Sequence, residues 1–137
     1  PLLLSENFKE SLEWLAALMK ERYGLKVELK EVLLPNWPGE EVCNLLIQIV
    51  RELLFNVVKH DGVNQAIIEV SEEDGRLRVE VSDRGQGFDV AVFMTEVRQR
   101  SGLGLVSIRN RLELFGGWFH IESQVGRGTR VAVVVLI

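Results

Sequence analysis

The sequence predicts an α/β fold of the α+β type: a two-layer sandwich in which three helices cover one face of a mixed, mostly antiparallel sheet of about five strands. Apolar residues recur at three- and four-residue steps in three segments, which indicates amphipathic helices. Other short segments alternate or run apolar between glycine-rich turns, as strands do. Most of these strands are joined by short connections, which favour antiparallel pairing because a parallel pair needs a long crossover.

Length and composition predict one domain, residues 1–137. The chain has 137 residues, of which 47% are hydrophobic and 26% charged, the proportions of a folded domain. It begins with Pro1 rather than Met, so we expect a fragment of a longer protein. A net charge of −4 disfavours binding to nucleic acid, and no apolar run approaches the ~20 residues of a membrane span. The single cysteine, Cys43, allows neither a disulfide framework nor a zinc cluster.

The elements follow one another between turn signals. The helical segments are residues 5–23, with Ser5 as N-cap, 40–60 and 102–115. The strand segments are residues 26–31, 65–71, 76–82, 118–123 and 129–137. The last strand is apolar on both faces, so we expect it to be covered. The stretch 83–101 has no sustained period, and so long a loop in a small domain is usually functional.

The second helix carries three polar side chains beside its apolar face. At about 100° per residue, Glu52, Asn56 and Lys59 fall within a sector of roughly 60°. A solvated flank with an ordinary Glu-to-Lys interaction explains this stripe about as well as a functional site does. An Asn in the middle of a helix, against its propensity, favours function slightly.

Two glycine motifs follow. Asp83-Arg-Gly-Gln-Gly-Phe88 comes directly after an alternating strand, where the carboxylate can accept a hydrogen bond and the glycines let a flat ligand approach the backbone. Taken alone, this motif is explained better by a simple turn than by a ligand site. Gly102-Leu-Gly-Leu105 opens the third helix, whose first N–H groups form an anion site, although a flexible entry loop is an equal alternative.

Several common kinds of binding site are excluded because the sequence lacks their motifs. No strand precedes Gly102, so a Rossmann dinucleotide site is rejected, and no P-loop motif occurs. His60 and His120 are the only histidines, too few for a metal cluster, and His120 on its strand pattern is best explained as structural.

The order of these motifs resembles that in the ATP-binding catalytic domain of sensor histidine kinases. That domain belongs to the superfamily shared with gyrase, the ninety-kilodalton heat-shock chaperones and the mismatch-repair ATPases. Arg51-Glu-Leu-Leu-Phe-Asn-Val-Val-Lys-His60 looks like the N box, and residues 83–88 and 102–105 look like the two glycine boxes. Gly126-Arg-Gly-Thr129 looks like the terminal Gly-x-Gly-Thr. The Asn-Val-Val-Lys-His ending and a short lid are similar to the nitrate-sensor type of kinase.

The resemblance implies ATP and Mg²⁺ as cofactors and gives each N-box residue a role. Asn56 would coordinate Mg²⁺ through its amide oxygen, and the ion would bridge the phosphates. Lys59 would add a positive charge to those phosphates, and His60 a further donor. Glu52 would be the catalytic residue, near the γ-phosphate, where it helps the attacking nucleophile lose its proton.

The resemblance places the other motifs around the base and the phosphates. Asp83 would accept a hydrogen bond from the adenine amino group, Gly85 and Gly87 would leave room for the base, and Thr129 would support the same pocket. Gly102 and Gly104 would hinge the lid and, with Leu105, aim backbone N–H groups at the phosphates.

The function implied is transfer of the ATP γ-phosphoryl group to a histidine on an adjoining dimerisation domain of the same protein, and from there to a response regulator. Arg84 stands where the family often has Asn or Asp, and Asp61-Gly62 replaces the small residue usual after Lys-His. The sequence contains no histidine that resembles the phosphoacceptor of the family. We therefore expect the fragment to bind ATP but not to phosphorylate itself. We also expect the domain to lie in the cytoplasm. The alternatives are an anti-sigma-factor-type serine kinase or ATP-hydrolysing clamp, and a nucleotide-binding module without transfer.

Overall fold

The computed structural model describes residues 2–32, 39–61, 63–85 and 105–136, and only the backbone of residues 2–7, 31–32, 60–61, 73 and 105–106. Its elements in chain order are α1 (Leu2–Tyr23), β1 (Lys26–Val32), α2 (Glu40–Asn56), β2 (Gln65–Glu73), β3 (Arg76–Asp83), α3 (Leu105–Glu113), β4 (Trp118–Gln124) and β5 (Gly128–Leu136). A π-helical turn, Val57–Asp61, continues α2 directly.

The strands form one sheet in the order β1-β2-β3-β5-β4. β1 and β2 are parallel and are joined through α2, whereas the other neighbours are antiparallel. The β2–β3 hairpin turns through Asp74 and Gly75, whose positive φ angles of 52° and 73° suit a tight two-residue turn. The predicted mixed, mostly antiparallel sheet with three helices is confirmed.

One face of the sheet is buried under the helices. Along β3, Leu77, Val79 and Val81 are buried and alternate with exposed Arg76 and Arg78. The helices supply the other side of the core through the buried apolar residues Phe8, Leu12, Leu15 and Met19 of α1, Leu46, Ile49 and Leu53 of α2, and Ile108 and Leu112 of α3. We call the covered surface the inner face and the opposite surface the outer face. β5 lies inside the sheet between β3 and β4, as its apolar sequence predicts.

The helix ends differ from the prediction in three places, one of which is the end of α3 at Glu113 rather than at residue 115. α1 begins at Leu2, so Ser5 lies within the helix and the prediction of an N-cap there was wrong; the leucines before it are good helix formers. Residues 40–60 were predicted as one α-helix, but α2 ends at Asn56 and the π-helical turn follows. Gly24, with φ 67°, ends α1 as predicted. No helix among the described residues is long and apolar enough to cross a membrane.

Candidate functional site

Asp83 ends β3 on the inner face of the sheet. Its side chain continues the row of buried Val79 and Val81, so Asp83, which is half-buried, lies on the face of the sheet that the helices cover. The backbone N–H of Gly85 donates a 2.7 Å hydrogen bond to Asp83 Oδ1. This turn fixes the position of the carboxylate, since the bond to Gly85 restricts rotation of the side chain. Asp83 is thus held where the strand ends, as the sequence predicts.

Gly128 brings the terminal glycine motif against this aspartate. Thr129 is the register partner of Asp83 across the β3–β5 ladder. A Cβ atom on Gly128 would lie 2.3 Å from the carbonyl oxygen of Asp83 and 2.9 Å from the Cα of Arg84, too close for any side chain. Gly128 also has a φ of 81°, which disfavours other residues. The glycine therefore allows β5 to run close to the backbone that carries Asp83.

Thr129 is one of the two buried polar or charged residues among the described part of the chain, with a relative exposure of 9%. It lies on the inner face of β5 beside buried Val131. Its Oγ1 is 2.9 Å from Ser123 Oγ, and Ser123 Oγ donates a second hydrogen bond of 3.1 Å to the carbonyl of Gly128. The ends of β3, β5 and β4 thus present a carboxylate and two hydroxyls together.

Asn56 and Glu52 lie at the end of α2, one helical turn apart. Both side chains are half-buried, and they stand beside the buried Leu53 and Val57. α2 packs against β3, the strand that ends at Asp83. The polar stripe therefore adjoins the covered side of the sheet.

Lys59 lies in the π-helical turn that follows Asn56. A π-helical turn holds more residues than an α-helical turn, so the angular step that put Lys59 on the Glu52–Asn56 stripe no longer applies. Its Nζ lies 5.9 Å from the ring centroid of Phe55. The ring edge of Tyr23 approaches the same ring at a centroid distance of 5.4 Å. The Lys59 ammonium therefore lies over the Phe55 ring at the flank of α2.

The outer face has a different character. A concavity of about 980 Å³ runs across it and reaches the strand ends, where Asp83, Ser123 and Thr129 are among its lining residues. Its wall also carries both acidic and basic side chains. Glu80, near its centre, is paired with Arg78 at 3.4 Å and Arg130 at 3.2 Å. The carboxylate of Glu80 is thus held between two guanidinium groups on the outer face.

Comparison with known proteins decides the family. Residues 42–136 match the family model of the histidine kinase-, DNA gyrase B- and HSP90-like ATPases. The chain belongs to this ATPase family. The matched region contains the stretches that resemble the N box, both glycine boxes and the terminal glycine motif, so the resemblance to this superfamily is confirmed.

Two solved structures share the fold of this ATPase domain. A blue-light activated histidine kinase of Erythrobacter litoralis is similar over 91% of this chain and 40% of its own, with 20% identity and a TM-score of 0.71. Full-length ShkA, solved in complex with AMPPNP, is similar over 92% of this chain and 29% of its own, with 25% identity and a TM-score of 0.74. The chain spans less than half the length of either kinase.

The remaining predicted site residues are placed only in part. Gly87, Gly102 and Gly104 lie outside the described residues. Leu105 is the first residue of α3, and His60 lies in the π-helical turn; only their backbones are described.

α3 is tied to α2 by Arg111, whose guanidinium donates a 3.0 Å hydrogen bond to the amide oxygen of Gln48, one helical turn before Glu52.

Ser123 is the residue that sequence reasoning missed. Its signal was its position: an inward-facing Ser that stands opposite Thr129 once the two closing strands are paired around Gly126.

Proposed function

We propose that this ATPase domain binds Mg·ATP and donates the γ-phosphoryl group to a histidine on an adjoining dimerisation domain, from which it passes to a response regulator. The observation that carries the proposal is the fixed Asp83 carboxylate on the inner face, opposite Thr129, in a chain of this ATPase family. A carboxylate there can accept the amino hydrogen of adenine in a charge-assisted bond of about 1.5–3 kcal/mol. The similar kinase ShkA was solved with AMPPNP, an ATP analogue, which supports the same ligand.

The residues at the end of α2 fit a magnesium ion. Mg²⁺ prefers oxygen ligands and usually keeps several waters, so that phosphates and one or two protein oxygens complete its shell. The half-buried Asn56 amide supplies such an oxygen, one helical turn from the Glu52 carboxylate. When bound, the ion would neutralise charge on the phosphates. We therefore assign Asn56 as the metal ligand, and Lys59 and His60 as phosphate contacts.

The proposed transfer is an in-line substitution at phosphorus. A ring nitrogen of the acceptor histidine forms the new N–P bond, the bond between the γ-phosphorus and the bridging oxygen breaks, and ADP leaves with that electron pair. Glu52 orients the acceptor ring and accepts the proton that it loses. Asp83 and Thr129 hold the base, while Gly85 and Gly87 leave room for it and Gly102, Gly104 and Leu105 bind phosphate oxygens.

The type of kinase and its location in the cell are part of the same proposal. We assign the domain to a sensor kinase of the nitrate-sensor type on its Asn-Val-Val-Lys-His ending, and to the cytoplasm, where ATP is available. Transfer to serine, as in anti-sigma-factor kinases, is the competing outcome, and chemistry separates the two: a phosphohistidine is lost in acid, whereas a phosphoserine survives.

Calorimetry with Mg·ATP on the 137-residue chain and its Asp83→Asn variant tests the proposal. The variant keeps an oxygen to accept the Gly85 N–H bond, so the turn is preserved, but it loses the negative charge. We expect ATP affinity to fall by roughly ten- to a hundredfold with an unchanged unfolding free energy. Equal affinities would show that the base is not held by Asp83. Absence of binding by the unaltered chain would refute the proposed function as a whole.

A further inference from the structure

β4 is an edge strand that lacks the features by which proteins usually protect the edge of a sheet. In the part of the chain that the structure describes, β4 pairs with β5 alone, from Trp118 to Gln124 and without a shift in register. The strand contains neither lysine nor proline. Its free edge therefore presents an uninterrupted row of backbone N–H and C=O groups, which is a template for pairing with another strand.

β1, at the opposite edge of the same sheet, is protected. It carries the exposed side chains of Lys26 and Lys30, and its register against β2 shifts between Leu29 and Val32. α1 also packs against it. Lysine side chains, irregular pairing and a covering helix each oppose the addition of a strand. Of the two edges, β4 is thus the one suited to pairing.

The inner-face side chains of β4 leave apolar surface open. Phe119 and Ile121 pack against the core but are only half-buried, and no residue of β4 is fully buried. Their register partners in β5, Val133 and Val131, are buried. A strand added beside β4 would cover the exposed part of Phe119 and Ile121, and this burial of apolar surface favours pairing.

The outer-face side chains of β4 are complementary to those of a second copy of the strand. His120 Nε2 lies 3.2 Å from Glu122 Oε1, and the two side chains are 66% and 60% exposed. When two copies pair antiparallel about a twofold axis at Ile121, His120 of each lies directly opposite Glu122 of the other. An imidazole N–H can donate to a carboxylate whether the ring is neutral or charged. An axis at residue 120 or 122 would instead set His120 or Glu122 opposite itself, and neither arrangement gives an attractive pair.

We infer that β4 is a self-association surface, through which two copies of this chain pair antiparallel, with the twofold axis at Ile121, into one continuous sheet. The pairing satisfies the backbone groups of both free edges, covers Phe119 and Ile121, and places His120 opposite Glu122 twice. The second copy is therefore the occupant that the charges and the register of β4 fit. The inference is independent of the proposed function, because no nucleotide takes part in the pairing.

Sedimentation equilibrium of the 137-residue chain over a range of concentrations tests this inference. The unaltered chain should form a dimer whose share rises with concentration. Glu122→Lys removes both attractive pairs, so we expect the dissociation constant of the dimer to rise by about tenfold. His120→Glu combined with Glu122→Lys restores opposite charges across an axis at Ile121 and should return the constant to within about threefold of that of the unaltered chain. Glu28→Lys, the same change of charge on the exposed side of β1, is the matched control and should leave the constant unchanged.

Cysteine crosslinking tests the register directly. Ile121→Cys brings the new thiol opposite its own copy, and directly opposite residues of antiparallel strands have the Cα separation of about 4.5–5.5 Å that a disulfide needs. We expect a covalent dimer on oxidation of this variant but not of His120→Cys. The native Cys43 is buried, so the unaltered chain serves as the control.

Two sets of results would overturn the inference. One is an unaltered chain that remains monomeric up to about 1 mM. The other is a dimer that is unaffected by Glu122→Lys, or that crosslinks through His120→Cys and not through Ile121→Cys. Because His120 and Glu122 are exposed, the charge variants keep the fold, and their comparison holds even if Ile121→Cys is unstable. Weakening by Glu122→Lys with recovery in the double variant supports the inference.

Discussion

Gly128 offers the sharpest structural test of the aspartate site, because its substitution acts on the backbone of Asp83. In Gly128→Ala the new Cβ would lie 2.3 Å from the Asp83 carbonyl oxygen and 2.9 Å from the Cα of Arg84, so β3 and β5 must separate locally. The φ of 81° adds left-handed strain of about 1–2 kcal/mol, and the overlap adds about 1–3 kcal/mol. We expect the unfolding free energy to fall by about 2–5 kcal/mol and ATP affinity to fall well beyond tenfold.

Gly126→Ala is the matched control in the same motif. Its φ of 85° imposes a similar strain, but nothing lies within 4 Å of the added Cβ. We expect the free energy of unfolding, measured in urea, to fall by only about 1–2 kcal/mol. ATP affinity, measured by calorimetry at low temperature, should be nearly unchanged. If both variants bind ATP equally well, the close approach of Gly128 to Asp83 does not matter for the nucleotide, and the reasoning is refuted.

Three further predictions concern α2. Asn56→Ala should abolish the dependence of nucleotide affinity on Mg²⁺ in calorimetric titrations; a full magnesium effect in the variant would place the metal elsewhere. Glu52→Gln, in a full-length chain with its acceptor domain, should slow phosphoryl transfer by about a hundredfold while ATP affinity is retained. A variant that transfers the phosphoryl group at the wild-type rate would show that Glu52 has no catalytic role. Burial raises the pKa of Cys43 from about 9 to about 11, so its neutral thiol stabilises the fold below pH 9 and this contribution is lost as pH rises through 11. Between neutral and alkaline pH, the free energy of unfolding measured in urea should fall by at most about 2–3 kcal/mol more in the unaltered chain than in Cys43→Ala. An equal fall in the two proteins would contradict this prediction.

The sheet could be predicted from the sequence because its signals are local. The alternation of Leu77, Val79 and Val81 marks one covered face, and Asp74-Gly75 supplies the positive φ angles of a tight hairpin turn. The length of the connection between β1 and β2, which contains a whole helix, distinguishes the parallel pair from the antiparallel ones. Each of these features depends on a few neighbouring residues.

The end of α2 could not be predicted in the same way. Apolar spacing continues smoothly through Val57 and Val58, so periodicity alone extends the α-helix to His60. The change to a π-helical turn at Val57 is not marked by this apolar spacing. The angular step that defined the predicted stripe therefore applies between Glu52 and Asn56 but not on to Lys59, whose ammonium lies over Phe55.

The aspartate site was predicted in its residue types but not in its contacts. The resemblance placed Asp83 and Thr129 in one pocket, whereas their direct pairing follows from the β3–β5 register, a property of two strands far apart in sequence. The hydrogen bond of Ser123 has the same origin, because it requires the β4–β5 register as well. Side-chain hydrogen bonds between strands become visible only when the register is known.

The most direct test of the account is a crystal structure of this chain with Mg²⁺ and a non-hydrolysable ATP analogue. The account predicts one nucleotide on the inner face, with the adenine amino group about 3 Å from the Asp83 carboxylate and the Asn56 amide oxygen about 2.1 Å from the metal. A base bound away from Asp83, with the metal far from Asn56, would contradict it.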